Sequence, residues 1–176
     1  RRSLGFLVIS GIGVMMAGLA LGSPAGLSGA ILYAVHSMVV MTALYFAAGI
    51  AARLGGSFEL TTAGGLYARS ALLAAMTLML LLSVAGLPPF SGLWPKIMLV
   101  KASLDVGAWW LAGSILVTGF LTTITVGRIW VLAYWRPSPA ADAGETGPAA
   151  LPMGASVALA GLVAITVAAG VWPEPL

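Results

Sequence analysis

The sequence predicts an all-α membrane protein, a bundle of about five transmembrane helices of which the third is discontinuous. Hydrophobic residues make up 60% of the 176 residues and charged residues only 7%, and the mean hydropathy is +1.06. Soluble domains carry about 25% charged residues, so this chain belongs in a lipid bilayer. The apolar runs lack period-two alternation and far exceed the length of a strand, which favours helices throughout.

Five apolar segments are long enough to cross about 30 Å of hydrocarbon at a rise of about 1.5 Å per residue. They span residues 4–21, 26–52, 70–104, 107–135 and 153–171. The third segment is too long for one plain crossing, even with tilt. We therefore predict two half-helices joined at residues 86–92, with Pro95 in the first turn of the second half, where a missing N–H costs least. Gly18 and Gly22 form a small-residue pair that favours close helix packing.

The join lies within residues 85–96, AGLPPFSGLWPK. Its helix-breaking residues are Gly86, Pro88, Pro89 and Gly92. Because proline has no backbone N–H, the carbonyls of Val84 and Ala85 lose their helical donors. Such breaks persist at membrane depth where protein or water satisfies the freed groups, and an ionisable residue beside one suggests an ion path.

Lys96 is the first candidate for a functional residue. It lies about eight residues from the outer end of its half-helix, or roughly 12 Å along the axis. Desolvation and the positive end of the half-helix dipole both disfavour a fixed charge there, so this lysine can relay protons. The alternatives are a side chain that snorkels to the interface or a permanent ion pair.

His36 lies in the middle of the second segment. An imidazole can donate and accept a proton at once, which suits a relay. A lone histidine in a membrane helix can equally be a hydrogen-bonded packing residue, and the sequence leaves both open. Tyr33 and Ser37 are its plausible neighbours.

Lys101 and Asp105 are spaced i, i+4 near the outer membrane edge. They form either an interfacial ion pair or the last protonatable site of a proton path before the outer aqueous phase. Lys101 points about 140° away from Lys96 around the helix, so direct transfer between them needs water or another helix.

Hydroxyl side chains recur along the fourth segment. They are Ser114, Thr118, Thr122 and Thr125. Such a stripe lines a hydrated passage or, more often, bonds the carbonyls of its own helix or a neighbouring helix.

Several classes of chemistry are excluded. The chain has no cysteine and one histidine, so it offers no convincing metal site, and we expect no cofactor. No nucleotide-binding loop and no nucleophile with its base occurs. The net charge of +3 has a topological explanation and does not imply nucleic acid.

The arginines predict the orientation. If the segments alternate, one side carries Arg1, Arg2, Arg53, Arg69 and Arg136. Because basic residues mark the cytoplasm, we expect a cytoplasmic N-terminus and an outer C-terminus. Residues 136–152 are expected to form a mobile cytoplasmic loop. The start at Arg1 suggests a fragment of a longer polypeptide.

The sequence resembles a known family. AGLPPFSGLWPK, preceded by GGLYARS and followed by KASL, is similar to the broken twelfth helix of the antiporter-like membrane subunits shared by respiratory complex I and the Mrp-type multisubunit Na⁺/H⁺ antiporters. HSMVVMTALYFAAG resembles their eleventh helix, and LGFLVISGIGVMMAGLALG their tenth. Within the family, the segments GLPPFSG and HSMVVMTALYFAAG most resemble the D subunit of the Mrp antiporters. Residues 1–176 would then be its C-terminal transmembrane part, and the first nine helices would be missing.

The resemblance implies a subunit of a Na⁺/proton antiporter in the bacterial inner membrane, with other membrane subunits as partners. It implies that Lys96 ends the proton path toward the outer side and that His36 holds an ionisable position. Ser37 and Met41 depart from the family, which often has a histidine or a lysine there, and Pro95 stands where glycine is usual. The alternatives are a proton-pumping subunit of complex I, and a structural scaffold whose lysine is inert.

Overall fold

The computed structural model describes residues 2–55, 64–137 and 153–172. Its helices are α1 (Arg2–Ala20), α2 (Pro24–Gly55), α3 (Leu66–Arg69), α4 (Ala71–Ala85), α5 (Leu93–Asp105), α6 (Trp109–Trp130) and α7 (Met153–Val171), and α6 continues into the π-helical turn Val131–Trp135. These described residues contain no strand. The predicted all-α fold is confirmed.

The helices reproduce the predicted crossings. Within the described residues, α1, α2, α7 and α6 with its π-helical turn are long and apolar enough to span a membrane. The helices α4 and α5 are too short to do so alone, and together they replace the long third segment. The predicted discontinuity is confirmed, because α4 ends at Ala85 and α5 begins at Leu93. Pro95 is buried in the first turn of α5, as expected.

Helix α2 holds the bundle together, since it contacts α1, α4, α5 and α7. The core around it consists of almost fully buried side chains, among them Val40, Leu44, Leu73, Leu80, Leu81 and Leu159. Leu99 of α5 centres a second cluster with Val14, Tyr33 and Ile115. In a bilayer such helices associate through close packing and hydrogen bonds, because lipid tails are as apolar as the core.

Close approach between α1 and α2 depends on glycine, but not on the predicted pair. A Cβ on Gly18 would lie 2.9 Å from the carbonyl oxygen of Gly26 and 2.5 Å from Cδ2 of Leu99. Gly22 meets nothing within 4 Å and instead turns the chain between the two helices, with φ of +59°. The sequence prediction was therefore right about packing at Gly18 and wrong about Gly22, because the chain has already left α1 there.

The arginine-bearing connections meet at one end of the bundle. The Arg69 guanidinium donates a hydrogen bond to the carbonyl of Leu54, next to Arg53. The N–H of Gly65 donates to the carbonyl of Arg136 at 2.7 Å. This shared end agrees with alternating crossings. Of the predicted loop 136–152, residues 138–152 lie outside the described residues, as does Arg1.

Candidate functional site at the helix break

The C-terminus of α4 leaves two of its carbonyls to an unusual donor. The last four carbonyls of a helix lack donors within that helix. Gly86, with φ of +82°, closes a Schellman motif: its N–H bonds the carbonyls of Leu82 and Ser83 at 3.1 and 3.0 Å, and the N–H of Leu87 bonds Leu82 at 3.1 Å. The carbonyls of Val84 and Ala85 remain for a partner outside the backbone.

That partner is Lys96. Its Nζ donates to the carbonyl oxygens of Val84 at 2.9 Å and Ala85 at 2.5 Å. In a continuous helix the N–H groups at positions 88 and 89 would have bonded these carbonyls, and both positions are proline. The ammonium therefore replaces the two donors that the prolines remove, and the bonds are strengthened by its charge.

Two glycines make this contact sterically possible. A Cβ on Gly86 would lie 2.7 Å from Cδ of Lys96 and 2.9 Å from its Nζ. A Cβ on Gly92 would overlap the carbonyl oxygen of Ser83 and lie 3.0 Å from Nε2 of His36. Such short separations are essentially never found for a Cβ atom. Any residue other than glycine would therefore require a shift of the Lys96 side chain at position 86, or of the backbone at position 92.

His36 reaches the same break from α2. Its Nδ1 forms a hydrogen bond with Oγ of Ser91 at 2.8 Å, and Ser91 Oγ lies 3.3 Å from Oγ of Ser83. All three side chains are buried. Tyr33 meets the imidazole edge-on, with ring centroids 6.1 Å apart, as its sequence spacing predicted. Ser37 instead lies near Gly11 of α1.

Ser83 and Ser91 are the residues that the sequence analysis missed. Ser91 lies in the break, where a polar side chain is ordinary for a loop, and Ser83 is one of two hydroxyl residues, with Thr77, in a mostly apolar half-helix. The available signal was that Ser83 is the last polar residue before the break. Their meeting depends on the path of the backbone through the break between α4 and α5, which spacing within one segment does not reveal.

Lys101 and Asp105 lie in a groove with Lys96 rather than in an ion pair. The groove has a volume of about 490 Å³, and the end of α4, α5 and α6 form its walls. Both side chains are exposed, and within the described part of the chain nothing joins them. The expected interfacial pair is thus not formed, and the groove connects the three ionisable side chains around the face of α5.

The hydroxyl stripe on α6 bonds mainly its own helix. Its members donate to carbonyls three or four residues earlier, namely Ser114 to Leu111, Thr118 to Ser114, Thr122 to Thr118 and Thr125 to Leu121. Ser114 and Thr118 also line a groove of about 260 Å³ with Ser10 of α1. Bonding within the helix, the commoner of the two expectations, is what these hydroxyls do.

Helix α7 covers the break from the other side. The N–H of Ser91 donates to the carbonyl of Thr166 at 3.2 Å, and Nε1 of Trp94 donates to the carbonyl of Gly170 at 2.7 Å. A Cβ on Gly170 would overlap the carbonyl oxygen of Pro89, so α7 packs directly on the backbone of the break. Between these elements, a cavity of about 120 Å³ borders His36 and Ser91.

The described residues bring together no group of three His, Cys, Asp or Glu side chains that could hold a metal ion. The polar groups at the break are instead one ammonium, backbone carbonyls, two hydroxyls and an imidazole. Such a set can bind and release protons, and its carbonyls can bind a cation.

These features define a polytopic helical membrane protein with a broken helix whose freed carbonyls hold a lysine. Residues 1–122 match the family described as "NADH:quinone oxidoreductase/Mrp antiporter, TM", and the chain belongs to that family. The family resemblance inferred from the sequence is confirmed.

Relatives from several organisms match the chain. The D subunit of the Na(+)/H(+) antiporter of Alkalihalophilus pseudofirmus is 31% identical, over 100% of this chain and 35% of that protein. The protein of the same name from Bacillus subtilis is 34% identical, over 73% of this chain and 26% of its own length. The N subunit of the NADH-quinone oxidoreductase of Heliobacterium modesticaldum is 30% identical, over 100% of this chain and 36% of that protein. The chain thus spans between about a quarter and about a third of the length of these relatives.

A solved structure shows the same fold. One chain of the Mrp complex from Dietzia sp. DQ12-45-1b superposes with a TM-score of 0.84 and 25% identity, over 98% of this chain and 40% of that chain. The membrane-bound sulfane sulfur reductase, an archaeal respiratory membrane complex, contains a chain with a TM-score of 0.79 and 18% identity, over 95% of this chain and 32% of that chain. At that identity the second likeness concerns the fold alone.

Proposed function

We propose that this chain is part of a membrane subunit of a monovalent cation (Na⁺)/proton antiporter complex and forms part of its proton pathway. The observation that carries the proposal is Lys96, whose ammonium sits on two backbone carbonyls inside a helix break and borders a groove. The names of the two Na(+)/H(+) antiporter relatives and the likeness to an Mrp complex support the choice of antiport.

The surroundings of Lys96 favour a relay over a permanent ion pair. In the described part of the chain no carboxylate contacts its Nζ, which has neutral carbonyl partners. Within this part of the chain its hydrogen bonds therefore involve no fixed negative charge. The side chain is also only half-buried in this chain, on the side that opens to the groove.

The proposed path has two parts. His36 receives protons from the interior of the bundle, and Lys96 passes them outward through the groove that Lys101 and Asp105 also line. The contacts of His36 with Ser91, and of Ser91 with Ser83, bring a chain of hydroxyls to the end of α4. Water in the groove would complete the transfer from Lys96 to Lys101, since their side chains lie on different faces of α5.

The proposal includes location and partners. The arginine end of the bundle faces the cytoplasm of a bacterial cell, by the positive-inside rule. Other membrane subunits of a multisubunit complex cover part of the apolar surface of the chain. Lipid covers the rest, and charge on Lys96 is coupled to charges elsewhere in the longer subunit.

The test is Lys96→Ala in the full-length protein within its complex, assayed in everted vesicles. We expect loss of most of the ΔpH-driven Na⁺ exchange, with normal assembly of the complex. Thr123→Ala, a change in the wall of the same groove, should keep exchange close to that of the unchanged protein. Full exchange by Lys96→Ala vesicles would remove Lys96 from the pathway.

A second candidate is a proton-pumping subunit of a quinone-reducing complex, favoured by the 30% identity to the N subunit of an NADH-quinone oxidoreductase. Copurification separates the two candidates. Flavin and iron–sulfur subunits in the purified complex, with proton transport that follows quinone reduction, would favour the redox complex over the antiporter.

A further inference from the structure

We propose that the groove between α5 and α6 binds one phospholipid with a phosphoethanolamine headgroup, and that Lys101 and Asp105 recognise the two charges of that headgroup. One acyl chain of the lipid lies in the groove and points toward Lys96. The headgroup lies at the end of the bundle away from the arginines. The inference does not depend on antiport, because it concerns the molecule that the groove binds.

The two charged side chains lack partners, although their spacing would allow an ion pair. Lys101 and Asp105 are both exposed, and both line the groove. In the described ranges of the chain, neither side chain forms a hydrogen bond or an ion pair. A carboxylate at the C-terminus of a helix is also disfavoured by the negative end of the helix dipole. A cation from outside the chain would relieve that repulsion at Asp105.

The order of the charges along α5 matches their order in the lipid. Lys101 lies deeper in the bundle, and Asp105 lies about 6 Å farther toward its end. In a phosphoethanolamine lipid the phosphate adjoins the glycerol and the acyl chains, whereas the ammonium is the outermost group. A lipid whose chains point into the bilayer therefore presents its phosphate to Lys101 and its ammonium to Asp105. Both contacts are charge-assisted hydrogen bonds.

Exposed tryptophans place this end of the bundle at the depth of the headgroups. Gly107, with φ of +73°, turns the chain between α5 and α6, and Trp109 and Trp110 follow with 69% and 95% exposure. Exposed tryptophan is enriched where the bilayer meets water. Because Lys101 and Asp105 lie within about two helical turns of this turn, their charges are at the level of lipid phosphates.

The rest of the groove suits an acyl chain. Its volume of about 490 Å³ lies within the range of about 300–1,000 Å³ that is typical of sites for small organic ligands. It follows α5 for about 13 Å between Asp105 and Lys96, at a rise of about 1.5 Å per residue. Most of its lining is apolar, and includes Ile97, Leu104, Ile115 and Leu116.

The two contacts predict which lipids the groove prefers. The primary ammonium of phosphatidylethanolamine donates hydrogen bonds to a carboxylate, which the quaternary ammonium of phosphatidylcholine cannot do. Phosphatidylglycerol offers a phosphate but no cation, so it leaves Asp105 unpaired. We expect a preference of about fivefold for phosphatidylethanolamine over either lipid, which is what one exposed ion pair can contribute.

The main experiment uses a phosphatidylethanolamine with a photoreactive diazirine in one acyl chain, in nanodiscs that hold the purified full-length complex. After illumination, mass spectrometry should find the label on the groove walls of α5 and α6. Unlabelled phosphatidylethanolamine should compete about fivefold better than phosphatidylcholine or phosphatidylglycerol. Equal competition by these lipids overturns the proposal. So does absence of label from the groove, which would mean that another helix or water fills it.

Exchange of the two charges tests the headgroup contacts. The double substitution Lys101→Asp with Asp105→Lys keeps the net charge and reverses the order of the charges along α5. Because both residues are exposed, the packing of the bundle should be unaffected. The preference for phosphatidylethanolamine should disappear, and a retained preference contradicts the proposal.

Gly119→Leu tests the position of the acyl chain. Gly119 lines the groove, and nothing lies within 4 Å of the point where its Cβ would be, so the new side chain would fill part of the groove. Labelling should fall several-fold. Gly113→Leu is the matched control, because it adds the same side chain to the same helix, also with nothing within 4 Å, but outside the groove. Equal labelling of the two variants contradicts the proposal, and the charge exchange decides if Gly119→Leu does not assemble.

The lipid site and the proton pathway have separate readouts. A bound chain displaces water from the groove, so the lipid should slow proton transfer from Lys96 to Lys101. If the groove is not labelled but Lys96→Ala abolishes ΔpH-driven exchange, the pathway stands and the lipid site is wrong. If labelling is as expected but Lys96→Ala transports normally, the lipid site stands and the pathway is wrong.

Discussion

At the scale of single residues, the proposed proton relay of Lys96 uses the same nitrogen atom that stabilises the end of α4. Its Nζ satisfies the carbonyls of Val84 and Ala85, which the two prolines deprive of donors. A buried carbonyl without a partner is costly, so the break and the protonation of the lysine depend on each other. A change of charge at Nζ therefore alters the end of α4 directly.

Ser91→Ala tests the link between His36 and the break. The change leaves Nδ1 of a buried imidazole without its 2.8 Å partner, which should cost about 1–3 kcal/mol. We expect a lower thermal midpoint of the complex and slower ΔpH-driven exchange in vesicles.

Ser103→Ala is the matched control, because the hydroxyl of this buried serine of α5 donates to the carbonyl of Leu99 in its own helix. It should change both measurements little. Equal losses from the two substitutions would show that His36 gains nothing from Ser91.

Gly86→Ala tests whether exchange depends on the position of the Lys96 side chain. The added methyl group would lie 2.7 Å from Cδ of Lys96, and the left-handed φ of +82° adds strain of roughly 1–2 kcal/mol. We expect exchange to fall at least tenfold, measured as vesicle ²²Na⁺ flux per assembled complex.

Gly107→Ala imposes the same kind of backbone strain, at φ of +73°, with nothing within 4 Å of the new methyl group. It should keep the exchange rate while it lowers stability by a similar amount. If Gly107→Ala lost as much exchange as Gly86→Ala, backbone strain would explain both effects.

At the scale of elements, the break works because three helices pack on its backbone. Gly92 approaches the Ser83 carbonyl of α4 and the His36 imidazole of α2, and Gly170 of α7 approaches the backbone of Pro89. Bonds from Ser91 to Thr166 and from Trp94 to Gly170 hold α7 in place. Phe90, Ser91 and Gly92 are thereby buried in protein, whereas Leu87, Pro88 and Pro89 are exposed in this chain. Irregular backbone at membrane depth persists where protein or water satisfies it.

Gly92→Ala should separate α4 from α5. Its Cβ would overlap the Ser83 carbonyl oxygen, and only backbone movement can relieve that overlap. We expect a lower yield of assembled complex and a lower thermal midpoint, measured by size-exclusion chromatography and thermal unfolding. Gly113→Ala, in α6 with nothing within 4 Å, should behave like the unchanged protein. A normal yield for Gly92→Ala would contradict the close approach of Gly92 to the Ser83 carbonyl.

The sequence predicted the elements more completely than the site. The lengths of the apolar runs and the prolines located the crossings and the break, because both follow from local chain chemistry. The neighbours of His36 and Lys101 were predicted from spacing within one helix, which found Tyr33 but not the partners from other parts of the chain. Ser91, 55 residues from His36, is such a partner.

At the scale of the whole molecule, much of the apolar surface remains open. Trp110 is 95% exposed, and Phe6, Met38 and Phe120 are each about 70% exposed or slightly less. In the longer relatives, which this chain covers for between about a quarter and about a third of their length, other helices or lipid would cover such a surface. Transport therefore needs to be tested in the full-length subunit within its complex.

Cysteine labelling tests the proposed orientation, and the absence of native cysteine from this sequence makes it direct. Ser23→Cys and Ala108→Cys lie in turns at the end away from the arginines, and Pro137→Cys lies at the arginine end. A membrane-impermeant maleimide should label the first two in intact cells and the third only after permeabilisation, as the positive-inside rule requires. The reverse pattern would invert the topology and the proposed direction of proton movement.

The sequence by itself determined that this chain is a helical membrane protein with a broken third crossing and a lysine beside the break. It did so because hydropathy, segment length and the missing N–H of proline are properties of the local chain. Only the tertiary structure decided which groups the lysine and the histidine meet. The path of the backbone through the break brings Nζ within hydrogen-bond distance of two carbonyls eleven and twelve residues earlier and brings Ser91 against α2, because packing between helices fixes such contacts.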